Sequence, residues 1–216
     1  MGIVNITDDS YFAESRCADV PSALSMIESM LEEGADIIDI GACSSRPGSV
    51  PVGMEVEWER LMPVLKAVKA EFPDARISID TYWSEVVRRA YDLIGGFILN
   101  DISAGDDDPQ MLPLAGELGL EYIAMHKRAD YDVRTYFLDF ARRAAGAGVK
   151  SWILDPGFGF AKNPQENLTL LSGLSGLKTS YHGYEPRILV GISRKSMIYR
   201  TLEITPEESL PATQAL

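Results

Sequence analysis

Short apolar runs alternate with amphipathic stretches along nearly the whole chain. The runs are rich in β-branched residues, which is typical of buried strands, and the stretches between them carry apolar residues at helical spacing. The predicted strands are 2–5, 36–40, 76–80, 97–100, 122–125, 151–154 and 187–190. Helices are predicted near 20–31, 55–72, 84–91, 109–118, 133–144, 165–171 and 196–202. Because a helical crossover follows each strand, the strands must pair in parallel.

Two parallel architectures fit this alternation, the TIM (β/α)8 barrel and the open doubly wound sheet. The first strand is not followed by Gly-x-Gly-x-x-Gly, and Gly157-Phe158-Gly159 lacks the third glycine of that motif. The Lys-Ser pair within 191–196 lacks the spacing of a P-loop. The α/β fold predicted is therefore a TIM barrel, as one domain over residues 1–216.

The sequence predicts seven strands, one fewer than the eight of a TIM barrel. No segment is a candidate for an eighth strand, and a barrel typically needs about 250 residues. We therefore expect the last strand and helix of the barrel to lie outside this sequence. A final capping box is predicted at 205–208, where Thr-Pro-Glu-Glu opens one more helix.

Composition narrows the functional class. A formal net charge of -12 repels nucleic acid, but it allows a small anionic substrate where a few basic residues converge. No apolar run approaches the roughly 20 residues that span a membrane. The cysteines, Cys17 and Cys43, are too few for a disulfide framework. We expect a cytoplasmic protein with small-molecule partners and neither nucleic acid nor membrane as a partner.

Polar residues follow nearly every predicted strand. In a parallel barrel these strand ends meet at one rim, where active sites form. A single Asp or Asn at such a position is more often a helix cap or a turn residue. Caps do not require Arg46, His126 and Lys195 at the same rim, so the set predicts a catalytic site. Its members are Asn5, Ser44, Ser45, Arg46, Asp80, Asn100, Asp101, His126, Asp155, Ser193, Arg194 and Lys195.

The types of these residues indicate what the site could bind. Asn100 and Asp155 offer an amide and a carboxylate, which suit a flat heterocycle with adjacent N–H donors and a carbonyl. Asp80 could accept a third N–H, and Lys195 could reach the carbonyl or a ring nitrogen.

Other residues would serve the remainder of such a ligand. Phe160 and Met125 could pack on the ring, although each taken singly is more typical of a core residue. Arg46 and Asn5 would handle anionic or metal-bound groups at the rim.

Several longer motifs carry a family resemblance over nearly the whole length. The specific ones are Ser-Ser-Arg-Pro-Gly at 44–48 and Ser-Arg-Lys-Ser at 193–196, and the opening segment 2–11 is a further landmark. With these motifs the sequence resembles the dihydropteroate synthase family. Asp80, Asn100 and Asp155 are less diagnostic, because the same residue types recur in other pterin-binding barrels.

The resemblance implies a homodimeric TIM-barrel transferase that uses Mg2+. It would join dihydropterin pyrophosphate to p-aminobenzoate in folate biosynthesis, where sulfonamides compete. It implies that the pterin is contacted by Asp80, Asn100, Asp155 and Lys195. It implies that the slot for the pterin is lined by Met125, Phe160 and Gly191. It also implies that Asn5 takes part in binding Mg2+–pyrophosphate. It implies that the p-aminobenzoate site is shaped by Ser45, Arg46, Pro47 and Ser193.

Departures from the family pattern keep two alternatives open. Ala42 and Cys43 stand where the family often has Gly and Glu, and Asp8 replaces the usual proline. Residues 127–130 replace an Arg-Gly-x-Pro loop, and the family's final Arg-Val-His-Asp segment is not in this sequence. The alternatives are a methyltetrahydrofolate-dependent methyltransferase, which would share the Asp and Asn residues, and a pterin-binding paralogue without turnover.

Overall fold

The computed structural model describes residues 1–6, 19–43, 52–129 and 132–216. Its seven strands form one sheet in which all neighbouring pairs are parallel and spatial order equals chain order. This is the curled sheet of a TIM barrel, and the strand predictions are right to within two residues. The strands are β1 Gly2–Asn5, β2 Ile38–Gly41, β3 Ile77–Asp80, β4 Ile98–Asp101, β5 Glu121–Met125, β6 Trp152–Asp155 and β7 Arg187–Ile188.

Helices fill the six crossovers between the strands, as the apolar spacing predicts, and two more helices follow β7. They are α1 Val20–Glu32, α2 Met54–Glu71, α3 Ser84–Ile94, α4 Met111–Leu118, α5 Val133–Gly146, α6 Pro164–Ser172, α7 Ser196–Leu202 and α8 Leu210–Gln214. Within the described ranges, no helix is both long and apolar enough to span a membrane.

Side chains near the helix ends explain where several helices begin. Asp19 accepts a hydrogen bond from the Ser22 amide at the start of α1. The predicted capping box is confirmed: the Thr205 amide donates to Glu208 at 2.9 Å, and the Glu208 amide donates to the Thr205 hydroxyl at 3.3 Å. The box opens a short 3-10 turn, Glu207–Ser209, which leads into α8.

The outward face of the sheet carries the main hydrophobic core. Alternate strand residues point outward and pack against the surrounding helices, and each fully buried aliphatic or aromatic side chain stabilises the fold by about 1.5–3 kcal/mol. Strand members of this core include Ile40, Leu99, Tyr122 and Leu154, and helix members include Ile27, Leu65, Phe137 and Phe140. The helices are thereby fixed on the outside, which leaves the inner face for other chemistry.

The inner face changes character from one end to the other. At the amino end, Glu121 pairs with Arg76 at 2.6 Å and also with Arg187, so one carboxylate links β5 to the starts of β3 and β7. Above it lies a small apolar cluster formed by Ile98, Ile123 and Ile153, with Ile37 and Leu189 packed against it. The inner positions above this cluster, toward the carboxyl end, are mostly polar.

Asp101 is predicted for the rim together with Asn100, but that prediction is wrong, because the alternation of side chains along β4 turns Asp101 outward, where it is fully buried. Its carboxylate accepts hydrogen bonds from the Ser103 amide and hydroxyl and from the Gly105 amide, each at 2.7 Å, and from the Tyr122 hydroxyl at 2.5 Å. One carboxylate therefore shapes the turn after β4 and joins it to β5. Asp101 directly follows Asn100 in β4, so it supports a predicted site residue from behind.

We expect Asp101→Asn to lower the free energy of unfolding by about 2–3 kcal/mol. The amide NH2 group cannot accept the hydrogen bonds that one of the two Asp101 carboxylate oxygens accepts. Urea unfolding measures the change. Asp92→Asn, on the exposed side of α3, is the control and should change the free energy by less than about 0.5 kcal/mol. Equal unfolding midpoints for the two variants would contradict this role.

Candidate active site at the carboxyl ends of the strands

The strand register brings predicted site residues to one level of the barrel. Asn5 pairs with Gly41, Gly41 with Asp80, and Asp80 with Asn100. Paired residues of parallel strands point to the same face. A Cβ on Gly41 would lie 3.3 Å from the Cβ of Asp80, so the glycine leaves room beside that carboxyl group.

Met125 and Asp155 form a second pair, between β5 and β6. Met125 lies two residues beyond Ile123, which is the register partner of Asn100, so this pair stands on the same inner face one step higher. The Met125 side chain is buried and apolar, and it borders a cluster that is otherwise polar. Such a wall suits the flat face of a ring.

Asp39 orients Asn100. The Asn100 side-chain amide donates to the two Asp39 carboxylate oxygens at 3.2 and 3.1 Å. Because the NH2 group faces Asp39, the amide carbonyl oxygen faces away and can accept a hydrogen bond from a ligand. Asp39 is not among the residues predicted for the site; it lies inside β2 and is 4% exposed. Its alternation with Gly41 on the inner face was the available signal.

Several carboxyl groups crowd this end of the barrel. Burial raises the pKa of Asp80 well above its usual range, and the neighbouring charges of Asp39, Glu57 and Asp101 raise it further. Burial also raises the pKa of Asp39, although the hydrogen bond from Asn100 opposes the rise. Groups this close in a low dielectric cannot all be ionised. A ligand that brings N–H donors or positive charge therefore relieves the repulsion.

Asp155 and Lys195 form the opposite side of the cluster. The Asp155 carboxylate accepts a hydrogen bond from the Gly157 amide at 2.8 Å. Burial raises the pKa of Asp155 to about 6 against the opposing charges of Lys195 and Lys162. Burial lowers the pKa of Lys195, and Asp155 opposes that shift. The Lys195 Nζ lies 4.7 Å from the centre of the Phe160 ring. An amine, a carboxyl group and an aromatic ring are therefore all present on this side of the cluster.

The other predicted residues lie in different surroundings. Gly191 and Ser193 follow β7 and are exposed. Ser45, Arg46 and Pro47 lie outside the described residues. His126 follows β5, but its ring is buried and packs edge-on against Tyr136, with centroids 5.0 Å apart. The expectation that His126 contributes its side chain to the rim is therefore wrong, because position 126 points to the opposite face from Met125.

The donor set near β1 is compatible with Mg2+. Among the described residues there is no group of three His, Cys, Asp or Glu side chains that could hold a metal ion alone. Mg2+ prefers oxygen ligands and often binds through one or two protein groups together with substrate phosphates. The Asn5 amide oxygen, at the same level as Asp80, is a ligand of that kind.

Comparisons with known proteins show the family to which the chain belongs. The whole chain, residues 1–216, matches the pterin binding enzyme family. The dihydropteroate synthase of Streptococcus pyogenes serotype M6 is 42% identical over 208 residues, which cover 92% of this chain and 76% of that enzyme. The chain therefore belongs to the pterin-binding enzymes.

Solved structures place the chain more narrowly. The Yersinia pestis dihydropteroate synthase, in a sulfonamide drug complex, has a TM-score of 0.88 at 34% identity and covers 99% of this chain and 81% of its own. The Xanthomonas albilineans dihydropteroate synthase, with 4-aminobenzoic acid, has a TM-score of 0.86 at 32% identity and covers 99% and 80%. Within its family the chain is one of the dihydropteroate synthases, which are transferases of folate biosynthesis.

Glu57, in the first turn of α2, is a second residue that the sequence analysis missed. Its side chain is fully buried, and neither carboxyl oxygen makes a hydrogen bond of normal geometry to a described residue. Burial raises its pKa to about 7, and Thr81 opposes part of that rise. A glutamate in the first turn of a helix usually serves the helix dipole from the surface, so its sequence position gave no sign of burial.

Glu57→Gln should make the protein more stable at alkaline pH. The unfolded chain releases the Glu57 proton above the ordinary pKa of 4.5, whereas the folded chain keeps it up to about 7. Stability is therefore lost as the pH rises between these values. We expect the variant to exceed the natural protein at pH 8 by as much as about 3 kcal/mol, and by far less near pH 4.5.

Urea unfolding at pH 4.5, 6 and 8 measures this difference. Glu59→Gln, exposed on the same helix, is the matched control and should show no such pH-dependent gain. A gain at Glu57 that stays constant across the three pH values would refute the linkage.

Proposed function

We propose that this chain condenses 6-hydroxymethyl-7,8-dihydropterin pyrophosphate with p-aminobenzoate, giving 7,8-dihydropteroate and pyrophosphate. The observation that carries the proposal is the Asn100 amide, which Asp39 orients beside Asp80. Asp155 lies at the same end of the barrel and interacts with the charge of Lys195, whose Nζ lies over the Phe160 ring. This set matches the edge of a pterin, which offers several N–H donors and one carbonyl.

The four predicted catalytic residues would each hold a different part of the ring edge. Asp155 and Asp80 would accept N–H groups, the Asn100 carbonyl oxygen would accept another, and Lys195 would donate to the ring carbonyl or a ring nitrogen. Met125, Phe160 and Gly191 would line the slot. A bound N–H edge would also lower the raised pKa of Asp80, since it stabilises the ionised carboxylate.

The reaction needs positioning and charge stabilisation more than proton transfer. The bond between the pterin methylene carbon and a pyrophosphate oxygen breaks, and its electron pair leaves with pyrophosphate. The lone pair of the arylamine nitrogen forms the new C–N bond, and the nitrogen then releases a proton. An arylamine is already unprotonated at neutral pH, so a strong general base is unnecessary. Asp80 and Asp155 would stabilise the positive charge that develops on the ring.

The remaining roles rest on the family resemblance. Asn5 would hold Mg2+ together with the pyrophosphate, and the bound ion would offset charge on the leaving group. Arg46 would add positive charge at the same rim. The p-aminobenzoate site would be formed by Ser45, Arg46, Pro47 and Ser193, and the 4-aminobenzoic acid in the Xanthomonas albilineans structure supports a site of that kind in this family.

The proposal extends to the assembly and setting of the protein. We propose a homodimer, a single domain over residues 1–216 and a cytoplasmic location. The resemblance supports the dimer. Cys43, a free cysteine in the described part of the chain, is consistent with a reducing compartment.

Pyrophosphate release by the full-length protein tests the activity directly. The assay supplies dihydropterin pyrophosphate and Mg2+, with and without p-aminobenzoate. Release that depends on p-aminobenzoate and yields dihydropteroate is the expected result. Pterin binding without product would instead indicate a paralogue without turnover.

Asp155→Asn should lower kcat/KM for the pterin substrate by about 100-fold, because it removes the charged acceptor of a ring N–H. The natural enzyme should also lose activity as the pH falls below about 6, where Asp155 takes up a proton. The variant should lack that acid limb. Asp74→Asn, exposed before β3, should keep both the rate and the limb. An unchanged acid limb in Asp155→Asn would assign it to another group.

A further inference from the structure

Lys162 lies in the loop between β6 and α6, and its ammonium group donates hydrogen bonds to backbone carbonyl oxygens. The Nζ atom donates to the carbonyl oxygens of His126 at 3.2 Å, Gly157 at 3.1 Å and Phe160 at 3.2 Å. An ammonium group has three N–H donors, and three acceptors surround this one. Burial lowers the pKa of Lys162 to about 8, although Asp155 and Glu166 oppose the shift. Keeping a cation here therefore has a cost that the hydrogen bonds must offset.

The three carbonyl groups belong to two different loops. His126 begins the loop after β5, whereas Gly157 and Phe160 belong to the loop after β6. These loops touch: a Cβ on Gly157 would lie 2.0 Å from the His126 carbonyl oxygen, and its φ of +69° also favours glycine. Lys162 thus cross-links the two loops beside the point where Gly157 meets His126.

Asn167 holds the other side of the same loop. Its side-chain oxygen accepts from the Gly159 amide at 2.8 Å, and its NH2 group donates to the Lys162 carbonyl oxygen at 3.1 Å. The Phe160 amide donates to the Gly157 carbonyl oxygen at 3.1 Å. Phe160 therefore lies between Gly159 and Lys162, both of which are held by hydrogen bonds.

The loop connects Lys162 to the site through Phe160. The Phe160 ring lies under the Lys195 ammonium, and the stem of Lys195 would lie 3.3 Å from a Cβ on Gly159. Lys162 itself faces backbone carbonyls. We propose that Lys162 is a positioning residue, which locks the loops after β5 and β6 together and so sets Phe160 and Lys195 for the pterin ring. The inference rests on the proposed pterin site and deepens it.

Binding of dihydropterin pyrophosphate to the full-length protein tests this role. Lys162→Met should raise its Kd and KM by about tenfold, and leave the KM for p-aminobenzoate at saturating pterin within about twofold. Lys150→Met, exposed before β6, is the matched control and should change neither. The peptide over 157–160 should exchange its amide hydrogens faster in Lys162→Met and not in the control.

A double-mutant cycle with Phe160→Leu separates positioning from general stability. If Lys162 acts through Phe160, then Lys162→Met should cost less than about twofold in the Phe160→Leu background. A tenfold cost in both backgrounds, or an unchanged Kd in the natural background, would overturn the proposal. If Lys162→Met does not fold, Lys162→Gln takes its place in the cycle, since it removes the charge and keeps two N–H donors.

The same binding titration distinguishes a failure of the Lys162 inference from a failure of the proposed function. A natural protein that fails to bind dihydropterin pyrophosphate would overturn the proposed function and this inference with it. A natural protein that binds normally, beside a Lys162→Met variant that binds equally well, would overturn the inference alone.

Discussion

The in-register parallel pairing of the seven strands is the constraint on which the rest depends. Because each strand runs in the same direction, all carboxyl ends reach the same rim. Because paired residues share a face, a register of Gly41 with Asp80 and Asp80 with Asn100 turns three separate strand ends into one surface. A slip of one residue in any pair would turn that strand's polar group into the helix layer and its apolar group into the site.

Burial of like charges is the second determinant of the site. Asp39, Asp80 and Glu57 all have raised pKa values because they are removed from water before any ligand neutralises them. Such an arrangement lowers the free energy of unfolding, and it favours the binding of ligands with N–H donors or positive charge. The amino end of the barrel has the opposite solution, since Glu121 there pairs directly with two arginines. On the inner face, the carboxylate at the amino end is thus paired within the protein, whereas the carboxyl groups at the other end remain for a ligand to neutralise.

The alternation of apolar runs was sufficient to predict the strands, their order and the rim where polar groups gather, because these features follow from local pattern and chain direction. The pattern did not show which groups act on one another. Asp39 is not predicted as a site residue, because one Asp inside a four-residue strand leaves the apolar pattern of that strand recognisable. Lys162 resembles a surface lysine until its three carbonyl partners are known. His126 was misplaced because one residue of strand parity decides between rim and core.

Chain order and spatial order coincide throughout the sheet. Each strand therefore pairs with the strand made just before it, and the helix that covers the pair is the segment between them. A growing chain can add one strand and one helix at a time without waiting for a distant partner, which keeps each step of closure short in sequence. The topology allows Asp80 and Asn100 to be in register before Asp155 has been synthesised, so the site can be assembled from one side to the other in the order of translation.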